Sequence, residues 1–233
     1  MSTEVKLHSV QAKILRELLF KPQARFSELN LTELTNDHFT FHVNQLLEIG
    51  LIEKVDKKYT LTTIGKEFAN RMDTDTAKLE RQAKTAVLVI CVRKNRSKTE
   101  CLVQQRLKQP FYGFYGFVTG KVRWGEKILE TAQRELREET GFTNAKFSLV
   151  GIEHKMDIKD DQVQEDKYFY VVRAENPEGE LVESFEGGKN IWMTQKQIDK
   201  LDNKFDDLDN LLELVKRDNF NAFVEKAYVV KNY

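Results

Sequence analysis

From Gly120 to Phe142 the chain reads GKVRWGEKILETAQRELREETGF, and Glu130, Glu135, Glu138 and Glu139 fall within ten residues of it. With Ile128 to Glu139 taken as a helix turning about 100° per residue, Ile128, Leu129, Ala132 and Leu136 share an apolar face. Glu135 and Glu139 are four apart and Glu138 adjoins Glu139, so three carboxylates gather along one edge of that face. Glu139 projects almost between Ile128 and Ala132, where a lone carboxylate is costly to desolvate. Acids this close repel one another unless a cation compensates, and hard oxygen donors select Mg²⁺ or Mn²⁺ over zinc. Arg134 can orient a carboxylate through a bidentate pair, and Gly120 lets a backbone carbonyl approach the metal. Magnesium also favours phosphate oxygens, so the chemistry indicated is metal-assisted phosphoryl chemistry.

The same residues carry a resemblance. Gly120, Glu126, Arg134-Glu135-Leu136, Glu138-Glu139 and Gly141-Phe142 stand at every fixed position of the box of the Nudix hydrolases. Agreement by chance at that many positions is on the order of one in a million or less. The resemblance implies an α+β fold, a Nudix α/β/α sandwich with a mixed β-sheet. It also implies Mg²⁺ (or Mn²⁺) as cofactor and cleavage of the diphosphate linkage of a nucleoside diphosphate derivative. In that chemistry water attacks phosphorus and divalent metal neutralises charge on the phosphoryl oxygens. Glu135, Glu138 and Glu139 are then metal ligands together with the Gly120 carbonyl. Arg134 steers Glu135, one candidate base, and Glu126 is an auxiliary; the choice of base stays open. Ahead of the box, the usual glycine, tryptophan, proline and paired glycines are replaced by Gly113, Tyr115, Val118, Thr119 and Gly120. Tyr115 in this looser loop and Arg106 in LVQQR are the substrate-binding candidates. Trp124 is expected to cover the helix start or stack on a base, with cover favoured. Glu165 in KDDQVQED is expected in a solvated loop, although some relatives place a functional acid there.

Several elements must position this stretch. From Thr85 onward AVLVICV reads as a buried strand, RKNRSKTE as a turn and CLVQQRL as a second strand; FSLVGIEHKM, KYFYVVRAE and NIWM follow as further strands. Helices around IDKL and DNLLELVKR close the chain. Ahead of Thr85 the texture is different. VQAKILRELLF has helical spacing, Ser27 is a cap for a brief helix in RFSELN, and TNDHFTFHVNQLLEIG runs from Asn36 or Asp37 to a stop at Gly50. LIEKV, a turn at DKK and YTLT form a hairpin, followed by a helix from Ile64 to Met72. The stretch FTFHVNQLLEIGLIEKVDKKYTLTTIGKEF resembles the winged helix-turn-helix family over about the first 72 residues. TDTAKLERQAK reads as a helical connector. The organisation expected is a winged helix-turn-helix domain at 1–75, a linker at 76–84 and a Nudix hydrolase domain at 85–233.

Charge tempers the nucleic-acid reading. Lysine plus arginine and aspartate plus glutamate both number 37, so no bulk charge advertises a polyanion or a membrane. Residues 1–75 hold ten basic and eleven acidic side chains, and residues 36–49 contain no lysine or arginine. DNA contact would therefore rest on Lys54, Lys57 and Lys58 of the wing and on Arg25, with Asn36, His38, Thr40, Asn44 and Gln45 reading base edges, and would be weak. The competing role for this domain is homodimerisation or docking. Cys91 and Cys101 make no disulfide framework, and the absence of a leader or membrane-spanning run points to the cytoplasm. The leading reading is a metal-dependent hydrolase with an accessory or regulatory domain. The alternative is a nucleotide-sensing transcriptional regulator whose rear domain binds the effector.

Overall fold

The computed structural model describes residues 7–30, 34–216 and 222–230. The chain divides into two compact units, Met1–Arg81 and Gln82–Tyr233.

In the first unit, α1 (Ser9–Phe20), α2 (Phe26–Leu29) and α3 (Asn36–Glu48) precede a hairpin of β1 (Ile52–Val55) and β2 (Lys58–Leu61). α1 buries Val10, Ile14, Leu15 and Leu18, and α3 buries Phe39, Val43 and Leu46; in each helix the spacing puts these on one side. α2 starts after Arg25, whose backbone N–H donates to the Glu28 carboxylate at 2.6 Å, so Ser27 lies inside the helix rather than capping it. α3 begins one residue after Thr35, and Gly50 (φ +71°) turns the chain toward β1. Asp56 and Lys57 take φ of 47° and 67°, the left-handed pair of a tight two-residue hairpin, and Ala24 bridges Tyr59 of β2. Thr62 accepts from the Gly65 N–H at 3.0 Å to start α4 (Thr63–Ala69). The expected helical connector is instead a second small hairpin, β3 (Met72–Asp73) with β4 (Lys78–Leu79). Asp73 decides this, because its carboxylate accepts from the backbone N–H and the hydroxyl of Thr76 and favours a turn over a helix.

The second unit is built on a mixed nine-stranded sheet among the described residues. Its strands are β5 (Lys84–Asn95), β6 (Lys98–Arg106), β7 (Tyr115–Gly116), β8 (Val118–Lys121), β9 (Asn144–Lys159), β10 (Gln162–Glu178), β11 (Ser184–Phe185), β12 (Gly188–Thr194) and β13 (Phe223–Val229). The main order is β11-β12-β6-β5-β10-β9-β13, with β7 on β6 and β8 on β5; β5–β10 and β9–β13 are parallel. α5 (Ile128–Thr140) follows β8, while α6 (Gln195–Ile198) and α7 (Leu208–Val215) follow β12. Arg217, at the end of the stretch read as the last helix, lies outside the described residues.

β5 is apolar from Ala86 to Val92 because it serves two cores. Ala86, Leu88 and Ile90 join the core that includes α7, whereas Val87, Val89 and Cys91 join the one that includes Leu136 of α5. Each fully buried aliphatic side chain contributes about 1.5–3 kcal/mol, so this one strand anchors both layers. β13 was not expected from the sequence. KDDQVQED is also not an open loop: Asp160 and Asp161 (φ 53° and 56°) make a tight turn and β10 starts at Gln162.

Candidate active site

α5 is locally specified. The Lys127 N–H donates to the Glu130 carboxylate at 3.2 Å, so this fourth acid caps the helix start. Gly141, at φ +80°, ends the helix in the left-handed conformation. Thr131, Ala132, Arg134, Leu136 and Thr140 are the buried residues, with Ile128 half-buried. Leu129, assigned to the apolar face, is exposed.

Arg134 organises the acids. Its Nε and Nη2 donate to the two oxygens of Glu126 at 2.7 and 2.8 Å; Nη1 donates to Glu135 at 2.6 Å and to Glu138 at 3.2 Å. Nη2 also reaches the Lys121 carbonyl at 3.2 Å, tying α5 to the end of β8. The guanidinium bonds hold Glu126 well below the usual carboxylate range, at about 2, with help from the Thr131 hydroxyl. The hydrogen bonds that Arg134 donates to Glu126 and Glu135 in turn raise its own pKa despite its burial. Glu139 turns elsewhere, accepting from Gln104 Nε2 at 3.0 Å, and burial pushes its pKa up.

Among the described residues no three acids already stand as a metal-ligating cluster, because Arg134 draws Glu135 and Glu138 while Gln104 takes Glu139. The residues nonetheless suit a hard divalent cation. Their donors are all oxygens, and Glu139 is a desolvated carboxylate that gains from a neighbouring positive charge. Gly120 is crowded by this acid group as well: a Cβ there would sit 1.8 Å from Cδ of Glu135, so only glycine lets the backbone and that carboxylate meet.

Glu135, Glu139 and Gly120 open onto a cavity of about 680 Å³. Arg106 lines it and donates to the carbonyls of Pro110 (2.6 Å) and Gln109 (3.2 Å), bracing the loop after β6. Tyr115 does not line the cavity; it packs against the core beside α7, and its neighbours Gly116 and Phe117 form the wall instead. Trp124 is 93% exposed, so it does not cover the start of α5. Glu165 is buried within β10 and pairs with Lys84 at 2.8 Å and Lys167 at 3.1 Å, which overturns the solvated-loop reading. Gln104, Lys155, Asp157 and Asp207, none of them singled out in the sequence, also face the cavity. Period-two alternation in GIEHKMDIK was the available signal, but charges on alternate residues ordinarily mark the wet face of a strand.

In the first unit Asn36, His38, Thr40 and Asn44 of α3 and Lys57 and Lys58 of the hairpin are all exposed. His42 stacks on His8 with ring centroids 4.4 Å apart, and burial together with His8 and His38 lowers its pKa.

Residues 83–215, more than half of the chain, match the family model described as NUDIX domain. The chain belongs to the Nudix family. Its activity class is that of Nudix hydrolases, which act on phosphoanhydride bonds. Among solved structures, the mutator MutT protein from Bacillus halodurans is similar at 24% identity and a TM-score of 0.53, over 63% of this chain and 90% of that one. The NUDIX domain of Shewanella oneidensis NrtR, solved with ADP ribose, is similar at 15% identity and a TM-score of 0.52, over 67% and 97% respectively. At these identities the likeness concerns the fold of the Nudix unit. No curated protein matches the chain. Among the described residues no helix is long and apolar enough to cross a membrane.

Proposed function

We propose that the Nudix unit is a Mg²⁺-dependent pyrophosphohydrolase that cleaves the diphosphate linkage of a nucleoside diphosphate derivative. The observation that carries this is the Arg134-centred acid group of α5, packed against Gly120 and opening onto the large cavity. Glu135, Glu138, Glu139 and the Gly120 carbonyl would hold the metal. When bound, it would supply charge neutralisation on the phosphoryl oxygens and activation of water. Arg134 fixes the directions of Glu135 and Glu138, with Glu126 gripping the other side of the guanidinium. Of the box carboxylates, Glu135 and Glu139 line the cavity wall, and either would take the proton from the attacking water. Arg106 and Lys108 on the same wall favour the substrate's phosphates. Purified protein with Mg²⁺ and a panel of ADP-ribose, sugar nucleotides, dinucleotides and oxidised nucleoside triphosphates should release nucleoside monophosphate or pyrophosphate from at least one. No release from any overturns the reading.

The first unit fits a winged helix with an accessory or regulatory role, in which α3 is the recognition helix and the β1–β2 hairpin the wing. Exposure of Asn36, His38, Thr40, Asn44, Lys57 and Lys58 supports a nucleic-acid contact, and the absence of lysine and arginine from α3 makes it weak. The same features keep a second reading in play, a transcriptional regulator whose Nudix unit binds a nucleotide effector. Binding to genomic fragments in low salt that responds to nucleotide without turnover would favour that second reading.

A further inference from the structure

Of the three box acids offered to a metal, Glu135 and Glu138 are held by a cation, Arg134, and Glu139 is held differently. Among the described residues no lysine or arginine pairs with Glu139. Its Oε2 accepts from the neutral amide of Gln104 at 3.0 Å, while Lys108 and Arg106 act on it only from a distance.

The direction of that amide is set from behind. Asn190 of β12 is 3% exposed and does not line the cavity. Its Nδ2 donates to the backbone carbonyls of Glu139 at 2.7 Å and Val182 at 2.8 Å. A carbonyl only accepts, so two of them facing one amide dictate which end of it is the NH2 group. Asn190 Oδ1 is thereby turned toward Gln104 and accepts from Gln104 Nε2 at 3.3 Å. Reversing the Gln104 amide would set its oxygen against both Asn190 Oδ1 and Glu139 Oε2, so its NH2 group must face them. The sheet register makes the contact: Asn190 and Gln104 stand directly opposite on β12 and β6. The Asn190 N–H goes to the Glu183 carbonyl at 2.8 Å, away from β6, which leaves the two residues as a non-hydrogen-bonded pair with close side chains.

Asn190 therefore reaches Glu139 twice. It takes up the Glu139 carbonyl directly, one of those that the end of α5 leaves without a helical partner, and it aims the Glu139 carboxylate through Gln104. A neutral donor fixes a carboxylate without cancelling its charge, whereas a lysine in the same place would compete with a metal for it. We propose that Gln104 and Asn190 are positioning residues of the hydrolase, an amide relay that fixes Glu139 by one oxygen and keeps its other oxygen and its negative charge for a divalent cation. The proposal rests on the hydrolase reading above and adds to its working parts two residues outside the box.

The test uses the full chain with Mn²⁺ alone, the free ion being read by electron paramagnetic resonance with no substrate present. Gln104→Met keeps the length of the side chain and removes the donor, and Mn²⁺ affinity should fall roughly 10- to 100-fold. Asn190→Leu keeps the shape and removes the whole amide. It should cost a similar factor, and because it acts partly through Gln104, the double variant should cost less than the product of the two. With Mg²⁺ and the best substrate of the panel, kcat should fall in each variant while KM stays within about 3-fold. Melting temperatures report folding, and Gln104→Met, a change at a half-buried side chain, decides the matter if Asn190→Leu does not fold. A folded Gln104→Met whose Mn²⁺ affinity stays within about 3-fold of the unaltered protein overturns the inference and leaves the hydrolase reading intact. A rise in KM with kcat unchanged overturns it as well, since Gln104 would then be a substrate contact and no more. If no substrate is turned over, weaker Mn²⁺ binding by the variants keeps the inference as one about a metal site and removes the hydrolase, and no Mn²⁺ binding by the unaltered protein removes both.

Discussion

At the scale of single residues, the site turns on Arg134. Five acids stand between Gly120 and Phe142, and their work is divided: Glu130 caps α5, Glu126 grips the guanidinium, Glu135 and Glu138 are steered by it, and Glu139 leans on Gln104. The box spacing made Arg134 and its acids legible, since contacts within one helix follow from its period. Gln104 was not legible, because its contact crosses 35 positions of chain. An Arg134→Lys substitution keeps the charge but cannot span Glu126 and Glu135 at once, since an ammonium lacks the planar fork. Its expected effect is a fall in kcat of roughly 10- to 100-fold together with weaker Mg²⁺ dependence, as for other losses of a group that orients metal ligands. Steady-state kinetics over a magnesium titration check this. An unchanged kcat at every magnesium concentration would mean that the fork is not needed.

At the scale of elements, β9 shows where sequence reading reached its limit. Strand segments were recognisable from apolar and aromatic runs, and AVLVICV announced a strand buried on both faces. Glu153, Lys155 and Asp157 alternate along the strand as charges on a wet face do, yet all three are buried: α7 packs against that side of the sheet, and β13 continues the sheet beyond β9. Nothing local encodes such a cover. Glu153 has the sharpest consequence: burial first, and then the neighbouring Asp207, raise its pKa above the ordinary 4.5, outweighing Lys155 and Lys226, while the Tyr228 hydroxyl also faces it. A carboxyl raised on folding binds its proton more tightly in the native state, so its stabilising contribution is full below about 4.5 and is lost as pH rises through the folded value. Asp157, raised by burial, and His154, raised by its bonds to Glu225 and Asp166, act in the same direction. The melting temperature should therefore fall between pH 5 and pH 8, and Glu153→Gln should flatten that slope. Parallel slopes for the two proteins would show that Glu153 titrates as it does in the unfolded chain.

At the scale of the whole molecule, the two units have separate cores. The core of the first draws on residues from Val10 to Met72, with Leu7 and Ala77 packed against it; both cores of the second draw only on residues from Ala86 onward. Every group assigned to phosphate chemistry lies beyond residue 100, and every nucleic-acid candidate lies before residue 60. A fragment of residues 82–233 should therefore fold and keep the kcat/KM of the full chain, because both cores of the second unit are made up of that unit's own residues. The full chain alone should then bind nucleic acid, weakly and with a shallow salt dependence, since Lys57 and Lys58 supply few phosphate contacts and each contact contributes about one unit of slope. Circular dichroism and substrate assays on the fragment, with fluorescence anisotropy of labelled duplexes on both proteins, decide the matter. A folded fragment without activity would mean that the first unit completes the catalytic site, and equal nucleic-acid binding by fragment and full chain would remove α3 and its wing as the contact surface.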